Sequence, residues 1–224
     1  MRPTLALMNR NHERLCPSPK WAHYMREEVL PLAVQGEDLG SEMLEIGPGP
    51  GAATDWLRLR VKRLTAVEVD PVLAHRLRER MEGTNVSVSL GDGASLDYSD
   101  GSFDSVGAFT MLHHVATLRE QRAIVAEAYR VLRPGGVLVG SDSLPSSGLH
   151  AFHARDTYNP IEPVVLLALL QGIGFESITL AIGEVLTFAA HRPPLRSRRR
   201  APRRVGSRRQ TPPRGQEDRD AVPV

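Results

Sequence analysis

This 224-residue sequence lacks several features that would assign it to a class at once. It contains one cysteine, Cys16, so it can form neither an intramolecular disulfide nor a cysteine-based metal cage. Its longest apolar run, VVLLALLQGIGF, is too short for a transmembrane helix and is interrupted by Gln171. The first residues, MRPTLALMNRNHERL, contain no long apolar segment of the kind found in secretion signals. We therefore expect a cytoplasmic protein without a membrane span.

A large excess of charge is also missing, because the net charge is only +2. The arginines are unevenly distributed, however. Residues 192–224 contain eleven arginines and three acids, so residues 1–191 carry a net charge of −6. The Arg- and Pro-rich segment 192–224 has almost no apolar periodicity, which predicts a disordered tail; phosphate binding by this tail is the less favoured alternative. Because the body of the chain is acidic, nucleic acid is not an expected partner.

Residues 1–40 are predicted to form a helical lead-in. Ser18 is expected to cap a helix that has Pro19 at its first position, where a missing N–H costs nothing. His12, Trp21 and Tyr24 are candidates for a lid over a binding site. An amphipathic helix that packs on the domain is the simpler interpretation of the same residues.

Residues 41–191 alternate between predicted strands and predicted helices. This alternation is typical of a parallel sheet with helices on both faces. The last two strands are joined by a tight turn at Gly183 and must therefore be antiparallel. The predicted strands are 42–46, 63–70, 85–90, 103–112, 137–143, 175–182 and 184–191. The predicted helices are 71–81, 116–132, 160–174 and a segment that ends at about Leu59.

The first predicted strand ends in the sequence MLEIGPGPGAATDWL, in which Gly47, Gly49 and Gly51 alternate with other residues. In an open parallel sheet, ligands bind beyond the carboxyl ends of the strands, and glycines there allow a sharp turn and a close approach. The pattern therefore indicates a nucleotide-like cofactor. By itself it is ambiguous, because Gly47, Gly49 and Ala52, followed by Glu68, also fit a dinucleotide-binding pattern.

Four motifs in order make the choice more specific: LEIGPGPG, AVEVD, GDGASLDYSDGSFDSV and VLRPGGVLV. Together they resemble the successive motifs of class I S-adenosylmethionine-dependent methyltransferases of the domain type 11/25 kind. The resemblance covers roughly residues 40–191. It implies an α/β fold with a Rossmann-like, seven-stranded, mostly parallel sheet that ends in an antiparallel hairpin. It also implies S-adenosyl-L-methionine as the cofactor.

The resemblance further implies which residues bind the cofactor. Glu68 would bind the ribose hydroxyls, Asp92 with Gly93 would contact the adenine, and the other residues would lie near the methionine part. The complete set is Glu45, Gly47, Gly49, Gly51, Glu68, Asp92, Gly93 and Thr110.

Histidines follow the fourth and fifth predicted strands, on the rim where a methyl acceptor would lie. His113 and His114 are candidate catalytic residues, because a histidine there can accept a proton; a packing role is an equal alternative. His153, Asp156 and Tyr158 are candidates for the substrate pocket. His150 shares a helical face with His153 and Asp156, but this trio is too weak a pattern for a metal site, and no metal is expected.

These observations predict an enzyme that transfers a methyl group to a small-molecule acceptor by in-line displacement. No G-x-S-x-G motif or suitably placed cysteine supplies a covalent nucleophile. Methylation of RNA or protein is one alternative, although FTMLHH stands where rRNA dimethyladenosine transferases have an Asn-Leu-Pro-Tyr-type motif. A nicotinamide-binding oxidoreductase or a non-catalytic dinucleotide-binding module is an alternative of another class.

Overall fold

The structure, a computed structural model, describes residues 9–195. The predicted disordered tail therefore lies, apart from its first four residues, outside the described residues. The strands are β1 Glu42–Ile46, β2 Arg63–Glu68, β3 Val86–Leu90, β4 Phe103–Phe109, β5 Leu132–Asp142, β6 Glu176–Ile182 and β7 Leu186–His191. The helices are α1 Arg10–Leu15, α2 Pro19–Tyr24, α3 Leu30–Ala33, α4 Ala52–Leu57, α5 Pro71–Arg80, α6 Leu118–Val131, α7 Ser147–Phe152 and α8 Pro163–Ile173.

The seven strands form one sheet in the order β3-β2-β1-β4-β5-β7-β6. Strands β1 to β5 pair in parallel, and β7 is antiparallel to both β5 and β6. The predicted mostly parallel sheet with an antiparallel hairpin at its end is thus confirmed. The strand order reverses between β1 and β4, which creates a crevice at the carboxyl ends of these strands.

Alternate residues of β1 point to opposite faces of the sheet, as the period of two requires. Leu44 and Ile46 belong to a core that includes residues of α6 and α8. Met43 belongs to a second core, which includes Met25 from the lead-in and Trp56 from α4. Helices therefore cover both faces, as predicted.

The lead-in forms a nearly continuous helical stretch over residues 19–33 that contains a π-helical turn, Met25–Val29. Ser18 caps it by accepting a hydrogen bond from the Trp21 N–H, and Pro19 is its first residue, as predicted. The π-helical turn, in which the Leu30 N–H donates to the Met25 carbonyl, directly precedes Pro31. Pro31 has no N–H to donate to the preceding turn, and α-helical bonding continues after it, where the Val34 N–H donates to the Leu30 carbonyl at 3.1 Å.

Strand β5 begins earlier than the sequence indicates. The RPGG sequence after α6 was expected to be a turn between helix and strand, but β5 starts at Leu132, directly after α6. Leu132 pairs with Phe103, whereas the next pair is Val137 with Ser105, so the intervening residues bulge out of the ladder. Several other boundaries differ: α4 ends at Leu57 instead of about Leu59, β2 ends at Glu68 instead of residue 70, and β4 ends at Phe109 instead of residue 112. The helical face expected for His150, His153 and Asp156 is not formed, because α7 ends at Phe152.

The chain leaves the sheet at the end opposite the crevice. In the β5–β7 ladder Asp142 pairs with Leu186, and Val137 pairs with His191. The next residue, Arg192, continues the ladder by exchanging backbone hydrogen bonds with Gly135 and Gly136. No helix within residues 9–195 has both the length and the apolar character needed to cross a bilayer. The domain boundaries and the cytoplasmic location stay predictions.

Candidate active site

A pocket of about 300 Å³ lies at the carboxyl ends of β1, β2 and β4. Its wall includes Gly47 after β1, Glu68 at the end of β2, and Thr110 after β4. This is the crevice where the strand order reverses, which is the expected ligand-binding position of an open α/β sheet.

Glu68 fixes the glycine loop in place. Its carboxylate accepts one hydrogen bond from the Gly49 N–H and another from the Asp70 N–H, both at 2.9 Å. Burial raises the pKa of Glu68, and the backbone hydrogen bonds oppose this effect. A carboxylate has about four lone-pair positions, so Glu68 retains acceptor capacity for two further hydroxyl groups.

The three glycines of the loop differ in what surrounds them. Gly47 and Gly49 line the pocket, both with positive φ, and a side chain at Gly49 would point into open space. Gly51 does not line the pocket; a Cβ there would lie 2.3 Å from the Arg80 guanidinium and 2.5 Å from Leu77. Gly51 is therefore required for packing of the loop against α5, instead of for contact with a ligand.

Arg80 braces the glycine loop from α5. Its guanidinium donates to the Pro50 and Gly51 carbonyls, at 2.7 and 3.3 Å, and to the Asp55 carboxylate at 2.6 Å. The sequence analysis did not single out this residue. Three acceptors around one planar donor group restrict the loop more than a single contact would.

Glu45 lines the pocket but is almost fully buried, with 1% of its surface exposed. Its carboxylate accepts a hydrogen bond of 2.7 Å from the Thr54 hydroxyl of α4. Burial raises the pKa of Glu45 to about 8, although the Thr54 hydrogen bond and Arg80 oppose the shift. Without a cation beside it, this carboxyl group is therefore protonated at neutral pH.

Asp92 and Gly93 form a turn after β3 on the opposite side of the pocket. The Asp92 carboxylate accepts from the Ala94 N–H at 2.8 Å, and its side chain is exposed toward the opening. A Cβ at Gly93 would lie 2.6 Å from the Ile46 side chain, so the close packing of this turn against Ile46 requires glycine. Asp92, Gly93 and Ile46 all line the pocket.

Thr110 adopts a positive φ of 50°, which is uncommon for a residue with a branched side chain. Its N–H donates to the Ser141 carbonyl at 2.7 Å, which keeps the end of β4 beside β5. Strained backbone of this kind is concentrated at functional sites. Thr110 lines the pocket, next to Met111.

The lead-in covers part of the pocket. Cys16, Trp21 and Met25 line it, whereas Tyr24 does not. Burial raises the pKa of Cys16 to about 11, with a smaller contribution from Asp156. The thiol is therefore protonated at physiological pH and is a poor nucleophile.

The predicted rim histidines lie in different environments. His114 lines the pocket together with Asp156 and Thr157. His113 lies behind it: its backbone N–H donates to the Asp142 carboxylate at 3.1 Å, and its Nδ1 bonds to the same carboxylate. The two imidazole rings are 4.1 Å apart, so His113 reaches the pocket only through His114.

Two further histidines complete a cluster beside this rim. His12 of α1 and His153, after α7, have their Nε2 atoms 3.1 Å apart. His153 stacks on Tyr158, with ring centroids 4.3 Å apart, and neither residue lines the pocket. His150, on the other hand, is exposed. Segments that are far apart in the sequence thus meet at the acceptor side of the pocket.

Burial lowers the pKa values of the clustered histidines. The pKa of His12 falls to about 4, first because of burial and then because of the neighbouring His153. The pKa of His114 falls far below its ordinary value because of burial and the three surrounding histidines, and that of His153 also falls because of burial. The three rings are therefore neutral at physiological pH, with free lone pairs on their nitrogen atoms.

Of the predicted site residues, nine line the pocket: Glu45, Gly47, Gly49, Glu68, Asp92, Gly93, Thr110, His114 and Asp156. Four do not: Gly51, His113, His153 and Tyr158. The sequence analysis missed Thr54 and Asp142, which position Glu45 and His113. Asp142 had a usable signal, because it ends an apolar strand, β5, that pairs with β4.

Comparison with known proteins agrees with this geometry. A family model described as a methyltransferase domain matches residues 44–140. A probable S-adenosylmethionine-dependent methyltransferase of Mycolicibacterium smegmatis is 29% identical over 160 residues, which cover 68% of this chain and 59% of the relative. The ubiquinone/menaquinone biosynthesis C-methyltransferase UbiE of Dinoroseobacter shibae is 28% identical over 64% of this chain and 57% of its own length.

A ribosomal RNA small subunit methyltransferase A of Koribacter versatilis is 34% identical over 110 residues, which cover 49% of this chain and 35% of the relative. This chain thus spans less than two thirds of the length of these curated relatives. Among solved structures, the N-methyltransferase NodS of Bradyrhizobium japonicum, in complex with S-adenosylhomocysteine, superposes with a TM-score of 0.64 and 22% identity. The match covers 84% of this chain and 95% of NodS.

The cofactor that these relatives use fits the pocket described above. Glu68 has unused acceptor positions, Gly49 faces open space, and the exposed Asp92 carboxylate lines the pocket. The alternative of a nicotinamide-binding protein finds no such support. Residues 44–140 therefore match the methyltransferase-domain family, and the chain is similar to class I S-adenosylmethionine-dependent methyltransferases, enzymes that use S-adenosylmethionine as cofactor.

Proposed function

We propose that this protein methylates a small-molecule acceptor that lies against His114 and Thr157. The proposal rests on one observation: two different parts of the chain line this end of the pocket. Trp21 and Met25 of the lead-in form one side, and Asp156 and Thr157 form the other. A recess of this size accommodates a small molecule, whereas RNA needs an extended basic surface that follows its phosphates.

The cofactor-binding half of the pocket would hold S-adenosylmethionine through residues already described. The Glu68 carboxylate would accept hydrogen bonds from the ribose hydroxyls, and the Asp92 carboxylate would accept one from the adenine amino group. Glu45 would face the cationic amino group of the methionine part. The cofactor supplies a methyl group that is activated by a positively charged sulfur. A cation beside Glu45 would favour its ionised form and lower its pKa from about 8.

The chain would contribute mainly alignment, because in-line displacement requires the acceptor atom, methyl carbon and sulfur to be collinear. His114 would orient the acceptor by hydrogen bonding or packing. Its strongly lowered pKa makes it a poor proton acceptor near neutral pH. His113 would act as a positioning residue, because its bonds to Asp142 fix the rim on which His114 lies.

The experiment that tests the proposal combines cofactor binding with an acceptor screen. Purified protein is melted alone, with S-adenosylhomocysteine and with NAD(H), because a ligand that binds only the native state raises the melting temperature. Glu68→Ala should abolish the shift caused by S-adenosylhomocysteine. Glu82→Ala, an exposed acid after α5, is the matched control and should retain it.

Methyl transfer from labelled S-adenosylmethionine is then measured with a small-molecule extract, total RNA and a protein extract as separate acceptors. Label transferred only to small molecules supports the proposal. Label transferred only to RNA would favour the activity named for the Koribacter versatilis relative, despite the FTMLHH sequence after β4. A shift with NAD(H) alone would overturn the proposed cofactor.

A further inference from the structure

We propose that His12, His114 and His153 form a binding site for a transition-metal ion of the zinc class, beside the acceptor end of the pocket. The ligand atoms of these three rings lie within 4.8 Å of one another. The site would join the lead-in, the rim after β4 and the connection between β5 and α8. No metal was expected from the sequence, and this inference departs from that expectation.

The first argument comes from the tautomers of His12 and His153. The Nδ1 of His153 lies 2.6 Å from the Leu149 carbonyl, which can only accept a hydrogen bond. The Nδ1 of His12 lies 3.0 Å from the Asp156 carboxylate and 3.2 Å from the Asn9 side-chain oxygen. That Asn9 oxygen already accepts from two backbone N–H groups, so it too is an acceptor. Both Nδ1 atoms must therefore carry hydrogen.

The second argument follows from the first. With hydrogen on both Nδ1 atoms, each neutral ring presents only a lone pair at Nε2. These two lone pairs face each other at 3.1 Å, which is repulsive unless a cation lies between them. A proton shared by the two rings, with the Asp156 carboxylate as its counter-charge, would occupy the same space, and the metal titration below distinguishes the two arrangements. A metal ion with two positive charges satisfies both lone pairs and does not require either ring to be protonated.

The distance between the two Nε2 atoms also fits a metal ion. A tetrahedral zinc ion with bonds of about 2.0–2.1 Å to nitrogen places two ligands about 3.3 Å apart. The observed 3.1 Å is close to this value. The ligand atom of His114 is at most 4.8 Å from the other two, so binding would require it to approach by up to about 1.5 Å.

The surroundings of the cluster are those of a metal site. In metal sites, a ligating histidine usually donates its second N–H to a carboxylate or a backbone carbonyl, which fixes the orientation of the ring. The Asp156 carboxylate is this acceptor for the Nδ1 of His12, and the Leu149 carbonyl is this acceptor for the Nδ1 of His153. Three imidazole ligands leave one coordination position for a water molecule or for an atom of the acceptor, since His114 lines the pocket.

The test measures binding of Zn²⁺ to the full chain, from which any polyhistidine tag has been removed. Metal is stripped with a chelator, and Zn²⁺ is titrated by calorimetry or by competition with a chromophoric chelator. We expect one ion per chain and an affinity that falls at least about 100-fold in His12→Ala and His153→Ala. Asp156→Asn should weaken binding roughly tenfold, because it replaces the charged acceptor for His12 with a neutral amide.

His150→Ala is the matched control, because His150 belongs to α7 but is exposed, and it should bind Zn²⁺ like the native protein. Each variant is also melted with S-adenosylhomocysteine, which tests folding and the cofactor half independently of the metal. Zn²⁺ binding that is absent in the native protein, or unchanged in folded His12→Ala and His153→Ala, would overturn the metal site. Loss of the S-adenosylhomocysteine response with intact Zn²⁺ binding would count against the proposed function instead.

Discussion

The cofactor half of the pocket and its acceptor half are built from the chain in different ways. The cofactor half comes mainly from residues 42–94, which contain β1, β2, β3 and the loops after them, together with Thr110 after β4. The acceptor half combines the rim after β4 and the connection after β5 with α1, and its contact between His12 and His153 spans 141 residues of sequence. The residues of the cofactor half lie in short sequence motifs. Those of the acceptor half are far apart in the sequence and come together only in the folded chain.

The two halves also differ in the hydrogen-bond donors around their buried carboxyl groups. In the acceptor half, the Asp142 carboxylate is bonded to the backbone and the ring of His113. In the cofactor half, Glu45 has no cation bonded to it in the described structure, and a hydroxyl group is its hydrogen-bond donor. The first carboxylate thus accepts hydrogen bonds from the backbone and a ring, and the second accepts one hydrogen bond from a hydroxyl group. Three predictions test this contrast, beginning with the largest expected effect.

Asp142→Ala is expected to have the largest effect on stability. It leaves the ring and N–H of His113 without their buried acceptor, at a cost of about 4 kcal/mol in the free energy of unfolding. Urea unfolding measures the change. The control is Asp100→Ala, which removes a largely exposed partner of Arg130 and should cost less than about 1 kcal/mol. Similar effects of both substitutions would show that Asp142 is not a structural anchor of the acceptor half.

Glu45→Gln is expected to change how stability depends on pH. The folded-state pKa of Glu45 is about 8, against an ordinary value of 4.5, so the unfolded state loses this proton first as pH rises. The contribution of Glu45 to stability is thus complete below about pH 4.5 and is lost as pH approaches 8. Between pH 5 and 8, the free energy of unfolding of the native protein without cofactor should fall by about 3 kcal/mol, and that of the Gln variant should not show this decrease.

Chemical unfolding at several pH values measures this difference directly. Gln preserves the shape of the side chain and can still accept from the Thr54 hydroxyl. Parallel pH profiles for the two proteins would mean that Glu45 is ionised in the folded state without a ligand. Addition of S-adenosylhomocysteine should reduce the difference between them, because its amino group would stabilise the carboxylate.

Arg80→Ala is expected to have the smallest effect on stability and a clear effect on cofactor binding. The Arg80 side chain is 42% exposed, so the loss of its contact with Asp55 should cost no more than about 1 kcal/mol. Because the glycine loop would lose two hydrogen bonds to its backbone, S-adenosylhomocysteine should bind about tenfold more weakly. This corresponds to about 1.4 kcal/mol in the free energy of binding. Calorimetry measures the affinity, and exposed Arg76→Ala on the same helix is the control.

The sheet and the cofactor half were largely predictable because their signals are local. Alternation of strands and helices, Ser18 and Pro19 before α2, and the glycine loop each depend on residues that are close in sequence. Local structure of this kind can be predicted from the pattern of residue types along a short stretch of sequence. Glu68 was predictable for the same reason, since it ends a strand that neighbours the loop.

The remaining features depend on contacts between distant residues. Leu132 is extended because it pairs with Phe103, which no local propensity indicates. His12 appeared in the sequence as a residue of a helical lead-in, and only the packing of α1 beside α7 brings it to His153. His113 and His114 are adjacent in sequence but face different surroundings, because the short 3₁₀ helix Leu112–His114 turns one toward Asp142 and the other toward the pocket.

The exit of the chain beyond β7 has a practical consequence for how the protein can be handled. Arg192 lies beside Gly135 and Gly136, near the start of β5, roughly 20 Å along the strand from Asp142 at its other end. A fluorescent fusion or a surface tether attached after residue 195 would therefore begin on the far side of the sheet. Asn9, by contrast, is bonded to Phe152 and Asp156 beside the histidines, so an attachment at that residue would lie close to the cluster. Immobilisation for kinetic measurements is best made through the carboxyl-terminal side.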